Sequence, residues 1–241
     1  MWIYTPPDSD ETRAGTTGIY TNPFGDLITG ASKLGAVTEF SFFGVPESPG
    51  VLFEVFPGAP SVTGGNTIVF KGNYTEADMP RTGVYYRVLQ DRPIGDNDLA
   101  PAGGDAPVVL IANSASTEIP GTDVIFGSTA PPNAANGKAV FAGFDNEDDP
   151  GLGGIYMAPL QYQPPLTTLV SIGGRVPGES GKFRFNAIGE GITFDGRFVG
   201  FWGAWGKGSR TVKLYCKEEG NRDRIAYCNQ ALYCEATGTT L

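Results

Sequence analysis

The sequence predicts an all-β fold, a β-propeller-like array of about four four-stranded repeats that forms a four-bladed ring or part of a larger one. Three observations carry this expectation. Aromatic residues return at matched spacings, hairpin-turn sequences separate short apolar runs, and no window shows sustained helical periodicity. The 241 residues include 35 Gly and 19 Pro, punctuation that suits many short strands. The length fits one domain or one repeat array.

The repeat is read from its anchors. Val69-Phe70-Lys71-Gly72 is followed by Gly83-Val84-Tyr85, and Val140-Phe141-Ala142-Gly143 by Gly154-Ile155-Tyr156, with fifteen residues from Phe to Tyr in both. Gly200-Phe201-Trp202-Gly203 to Tyr215 spans fourteen, and Tyr4 to Gly18-Ile19-Tyr20 sixteen. Each unit then reads as an anchor strand, a Gly-Ile-Tyr strand and an aliphatic strand (Leu27-Ile28, Val108 to Ile111, Leu169 to Ile172). A fourth strand, beginning near Ser61, Val124 or Ile192, turns tightly into the next anchor. Those turns are Gly64-Gly65-Asn66, Asn136-Gly137 and Asp195-Gly196, where both central residues are expected at positive φ. The repeats run over about 1–65, 66–136, 137–196 and 197–241, all within a single repeat domain. A β-sandwich or an open β-array is the competing architecture.

Composition excludes several functions. There is no His, so imidazole acid/base steps, Ser-His-Asp or Cys-His catalysis and His-bearing metal sites are ruled out. Three scattered Cys cannot supply the four thiolates of an iron–sulfur cluster or an all-thiolate zinc site. A net charge of −9 argues against a reader of nucleic-acid phosphates. No apolar run is long enough for a membrane-spanning helix, and no nucleotide-type glycine loop is present. No organic cofactor is expected.

The segments 18–35, Phe141 to Asp149 and Phe194 to Gly203 resemble a family of fungal and bacterial propeller-like proteins with Gly-Ile-Tyr repeats. That family is similar to the accessory protein of fungal trichothecene clusters, for which a ring-closing (cyclase) role is considered. The resemblance spans most of the chain and implies the fold more than the activity. It supplies no catalytic motif to carry over.

Candidate chemistry lies in four places. The loop Asp145-Asn146-Glu147-Asp148-Asp149 offers alternating Asp145, Glu147 and Asp149 to a hard cation such as Ca2+; a solvated, edge-protecting loop is the bland alternative. Tyr85, Tyr86, Arg87, Arg197, Trp202 and Trp205, with Arg175 nearby, suggest an aromatic platform for a sugar or terpenoid. The same aromatics would also serve as core between repeats. With no His, carboxylates lead the general acids and bases. Glu190 and Asp123 are the candidates, while Asp195 and Asp26 are read as turn residues. Cys216 and Cys228 bracket a polar hairpin-like excursion that a disulfide would close, with Cys234 as the alternative partner and three reduced thiols as the other reading. Asn73-Tyr74-Thr75 is a glycosylation sequon expected on a loop.

Two functions follow as expectations. The first is an extracellular or periplasmic module that binds a small molecule or glycan at the loop-lined mouth of the ring, cytoplasmic instead if the cysteines are reduced. The second is a cofactor-independent cyclase or isomerase acting on a terpenoid-like substrate through carboxylate or Tyr chemistry. Self-association through exposed sheet edges is a third use of the fold.

Overall fold

The computed structural model describes residues 18–32, 44–91, 104, 106–177 and 183–205, together with the backbone of 215–216 and 226–227. The fold is all-β: among the described residues there is no helix, and the strands form several small antiparallel sheets. The strands are β1 (Gly18–Thr21), β2 (Ile28–Ser32), β3 (Ser61–Thr63), β4 (Thr67–Glu76), β5 (Met79–Val88) and β6 (Val109–Asn113). They continue with β7 (Ser128–Thr129), β8 (Asn133–Ala135), β9 (Lys138–Phe144), β10 (Gly153–Pro159) and β11 (Thr167–Ser171). Last come β12 (Phe185–Phe194), β13 (Val199–Trp205), β14 (Tyr215–Cys216) and β15 (Ala226–Tyr227). The chain divides into two compact units, Met1–Ser171 with Gly189–Trp202, and Ile172–Ile188 with Gly203–Leu241.

A four-stranded and a five-stranded antiparallel sheet dominate the first unit. One has the order β3-β4-β5-β6; in the other, β11-β10-β9 is completed by β7 and β8, which both pair with β9. The spacing of the anchors becomes register here. Phe70 lies directly opposite Tyr85, and Phe141 directly opposite Tyr156. A bulge falls at the same step of each Gly-Ile/Val-Tyr strand: between Ile19 and Tyr20, Val84 and Tyr85, and Ile155 and Tyr156. A bulge adds one unpaired residue and sharpens the local twist, so three copies share one local distortion.

The sheets are phased one strand earlier than the sequence copies. The hairpin turns at 64–66 and 136–137 join the first two strands of a sheet rather than separating one sheet from the next. Asn136 and Gly137 both take positive φ (50° and 70°), as do Gly64 and Gly65 (62° and 80°). At 195–196 the expectation holds only for Gly196 (φ 96°). There the Asp195 carboxylate accepts from the amides of Arg197 and Phe198 (2.8 and 2.6 Å), so side-chain capture replaces the second left-handed residue.

The core sits between the sheets. Phe70, Tyr85 and Leu110 pack with Ile19, Ile28 and Ala31 of the β1–β2 pair. Val69, Val84, Ile111 and Ala112, on the opposite face, pack with Phe126, Phe141 and Tyr156. Each aromatic face therefore rests on the preceding pair or sheet, and β4 is buried on both sides. Polar links add register between the meanders. The Thr82 hydroxyl accepts from the Thr129 amide at 2.8 Å, and the Ser61 hydroxyl accepts from the Ala134 amide at 2.9 Å.

Candidate functional site

Tyr85 and Arg87 were expected on a ligand platform, and both are fully buried instead. Arg87 donates to four backbone carbonyls: Nε to Ala106 (2.9 Å), Nη1 to Thr29 and Gly30 (3.0 and 2.9 Å) and Nη2 to Gly104 (2.6 Å). A buried guanidinium is tolerated when its donors are met. Here it ties β2 and the segment before β6 to β5, so the residue holds the fold together. Tyr-Tyr-Arg reads as polar in sequence because both faces of β5 are buried and no alternation betrays it. Tyr86 is half-buried, and burial pushes its hydroxyl pKa up.

The remaining candidates lie apart. Glu190 and Asp123 are exposed, one on β12 and the other in the turn before Val124. The Arg197 guanidinium lies 4.9 Å from the ring centre of its neighbour Phe198, while Trp202 is laid across Gly189 and keeps 40% of its surface exposed. In the second unit Trp205 packs edge-on against Phe185 with centres 6.3 Å apart, and Arg175 is exposed. The Asp145 carboxylate accepts from the amides of Gly151 and Leu152 (3.0 and 2.9 Å), and Asn146 accepts from Asp148 and Asp149. The acidic loop thus caps its own backbone. Among the described residues, Asp145, Glu147 and Asp149 form no group of three that could hold a metal ion. Asn73 of the sequon lies within β4 rather than on a loop, and its Oδ1 is buried. β14 and β15 pair across the base of the Cys216–Cys228 excursion; the cysteine side chains lie outside the described residues.

What gathers instead is a cleft at the 44–56 segment, which folds over the end of the β3–β6 sheet. Residues 44–52 with Pro107 and Val108 line a shallow space of about 300 Å3. Residues 50–54 with Thr75 line a second of about 370 Å3. The segment is held by backbone bonds: Val45 to Val51 at 2.9 Å, and Glu54 and Asn73 to each other's strand at 2.9 Å. Gln163, from the loop before β11, donates its amide to the Leu110 carbonyl and its side chain to Glu47 (both 2.9 Å).

Beneath the cleft lies an aromatic floor. Phe53 stands edge-on to Tyr85 (5.0 Å) and Phe70 (6.0 Å). Ser48, buried at the cleft wall, acts on the Tyr74 hydroxyl, and Tyr74 acts on Tyr85. Burial, foremost, drives both phenol pKa values up, that of Tyr85 well above the ordinary range. Both hydroxyls therefore stay protonated as donors at neutral pH. Sequence reading missed Phe53, Ser48 and Tyr74. One signal was present: Phe53, Phe126 and Phe185 precede their anchors by seventeen, fifteen and sixteen residues.

Comparison with known protein families, with curated proteins and with solved structures returns no significant match. Function therefore rests on the geometry. No helix among the described residues is long and apolar enough to cross a membrane.

Proposed function

We propose that this chain is a β-propeller-like module that binds a small molecule in the cleft formed by residues 44–54 over the β3–β6 sheet. The observation that carries it is the meeting of an open, loop-built cleft with protonated tyrosine hydroxyls at the buried wall behind Ser48. Ligand sites combine apolar walls with a few placed polar groups, and this region supplies Val45, Val51 and Leu52 beside Ser48 and Glu47. The propeller part is supported by the equivalent register of successive repeats and by each aromatic face resting on the copy before it. The resemblance to the Gly-Ile-Tyr propeller-like family agrees with that arrangement. An extracellular or periplasmic setting belongs to the same proposal, favoured by the paired backbone at the base of the Cys216–Cys228 excursion.

The cyclase or isomerase alternative keeps one support: Tyr74 and Tyr85 are protonated donors able to polarise a substrate oxygen. Glu190 and Asp123 would not take part, since both are exposed and neither lines the cleft. Screening small ketones, alcohols and monosaccharides by amide-resolved NMR tests the binding proposal. Shifts are expected first in residues 45–54. Shifts confined to Phe198–Trp202 would move the site to that exposed aromatic hairpin, and an absence of shifts would overturn the reading.

A further inference from the structure

On one face of the β3–β6 sheet, three buried polar atoms have no hydrogen-bond partner: the hydroxyls of Tyr74 and Tyr85, and Nε of Arg81. Register brings them together. Tyr74 pairs with Arg81, Gly72 with Gly83, and Phe70 with Tyr85. Directly opposite residues share a face, as do residues two apart along a strand. The Gly72–Gly83 row therefore separates the Tyr74–Arg81 row from Tyr85 and contributes no side chain. Tyr85 leans back across that gap: a Cβ on Gly83 would come within 2.5 Å of its hydroxyl. Phe53 covers the other glycine, 2.6 Å from where a Gly72 Cβ would stand.

Tyr74 and Tyr85 are 1% and 0% exposed, and their hydroxyls act on each other without closing a hydrogen bond of proper geometry. Arg81 commits Nη1 to the Ser114 carbonyl at 2.8 Å, while its Nε–H is buried without a partner. A buried polar group without a partner costs about 1–3 kcal/mol, and native proteins leave few of them. The fold does not require this cluster. In the β7–β11 sheet, the row beyond the equivalent Gly143–Gly154 pair is Asp145 and Leu152, whose polar atoms are met by the loop itself.

We propose that Tyr74, Tyr85 and Arg81 form a subsite for one neutral oxygen atom, the carbonyl or hydroxyl oxygen of a ligand that reaches them from the 44–54 cleft. The inference rests on the cleft reading above and names what that cleft selects. Three unpartnered donors stand on the rows that border the glycine gap, and each tyrosine can also accept, so both a ketone and an alcohol can be satisfied. Charge sets the choice against anions. Arg81 contributes one positive charge, but Glu76 and Glu47 both act on Tyr85 with the opposite sign, so a carboxylate or phosphate gains little. Ser48 is the point where cleft wall and subsite meet.

The test compares cyclohexanone, cyclohexanol, cyclohexanecarboxylate and methylcyclohexane on the full chain and on Tyr74→Phe, Tyr85→Phe and Arg81→Met. The ketone and alcohol are expected to bind about 10-fold tighter than the hydrocarbon or the carboxylate. Each Tyr→Phe change is expected to lower ketone affinity about 10-fold, or about 1.4 kcal/mol, while hydrocarbon affinity and melting temperature hold or rise. The phenylalanine variants are near-isosteric, so they decide the matter even if Arg81→Met fails to fold. Equal binding of ketone and hydrocarbon, or ketone affinity indifferent to both Phe variants, would mean that ordered water alone fills the cluster and would overturn this proposal while leaving the cleft standing. Tightest binding by the carboxylate would overturn the neutral-oxygen assignment. Failure of all four probes to bind would overturn the cleft and the subsite together.

Discussion

The β3–β6 and β7–β11 sheets are two copies of one design, and they differ where function would be placed. In each, a phenylalanine from the preceding loop stands edge-on over the Phe–Tyr pair. The Phe53–Phe70, Phe53–Tyr85 and Phe70–Tyr85 centres are 6.0, 5.0 and 5.9 Å apart. For Phe126–Phe141, Phe126–Tyr156 and Phe141–Tyr156 the distances are 6.4, 5.3 and 6.0 Å. One row further out the likeness ends: Tyr74 and Arg81 occupy the first copy, and Asp145 and Leu152 the second. The lesson is that the triad is the part the fold needs. The row beyond the glycine pair is free to vary, which makes it the place to look for recognition.

If the triads are equivalent, removing their cover should cost the same in both sheets. Phe53→Ala and Phe126→Ala are each expected to lower stability by about 3–5 kcal/mol, the range for emptying a buried phenylalanine site. Both rings are essentially unexposed, so neither site has solvent to soften the loss. Urea denaturation of the two variants makes the check. A difference above about 2 kcal/mol would break the equivalence and show that one ring is held mainly by its own loop.

A finer test uses the glycines beneath those rings. A Cβ would come within 2.6 Å of Phe53 at Gly72 and within 2.7 Å of Phe126 at Gly143. Gly72→Ala and Gly143→Ala should therefore each cost about 1–3 kcal/mol, as overpacking does. Neither glycine needs a left-handed backbone, so the cost measures ring contact alone. Midpoints from the same denaturation series would show it. A neutral Gly72→Ala beside a costly Gly143→Ala would mean that the cleft segment yields, placing the mobile copy beside the proposed site.

These particulars also show what the sequence could and could not carry. The fifteen-residue Phe-to-Tyr spacing survives as text because it is a register relation: it marked the two copies, and the structure shows it as the Phe70–Tyr85 and Phe141–Tyr156 pairs. The Asn136-Gly137 turn is legible because few other residue pairs accept two left-handed conformations. Phe53 was hidden because its spacing to the anchor runs through an irregular loop, where one or two residues come and go. Arg87 and Tyr85 were misplaced outward for a physical reason. A strand buried on both faces gives no alternation, and carbonyls that receive a guanidinium carry no side-chain signature. Tyr74 sat inside a sequon, and only its pairing with Arg81 across Gly72–Gly83 gives it another meaning.

The smallest effect at neutral pH comes from the two buried phenols, and it sharpens the comparison most. The Tyr85 hydroxyl has no partner, so Tyr85→Phe should leave stability at pH 7 unchanged or slightly raised. The alkaline limb then separates the copies. Burial pushes Tyr156 up to about 12 and drives Tyr85 well above its ordinary value, whereas an unfolded tyrosine ionises near 10. Below pH 10 both states hold the proton and the full stability is present. As pH rises past 10 the unfolded chain releases protons that the folded chain retains, so stability falls with pH. The Tyr156 contribution to that fall ends near pH 12, and the Tyr85 contribution continues upward. Each Phe variant should flatten the decline between pH 9 and 11, measured by urea midpoints at half-unit steps. A Tyr85→Phe protein that is clearly weakened at pH 7 would show that the hydroxyl is bonded within the fold, and the two sheets would then differ in their framework as well as in what they recognise.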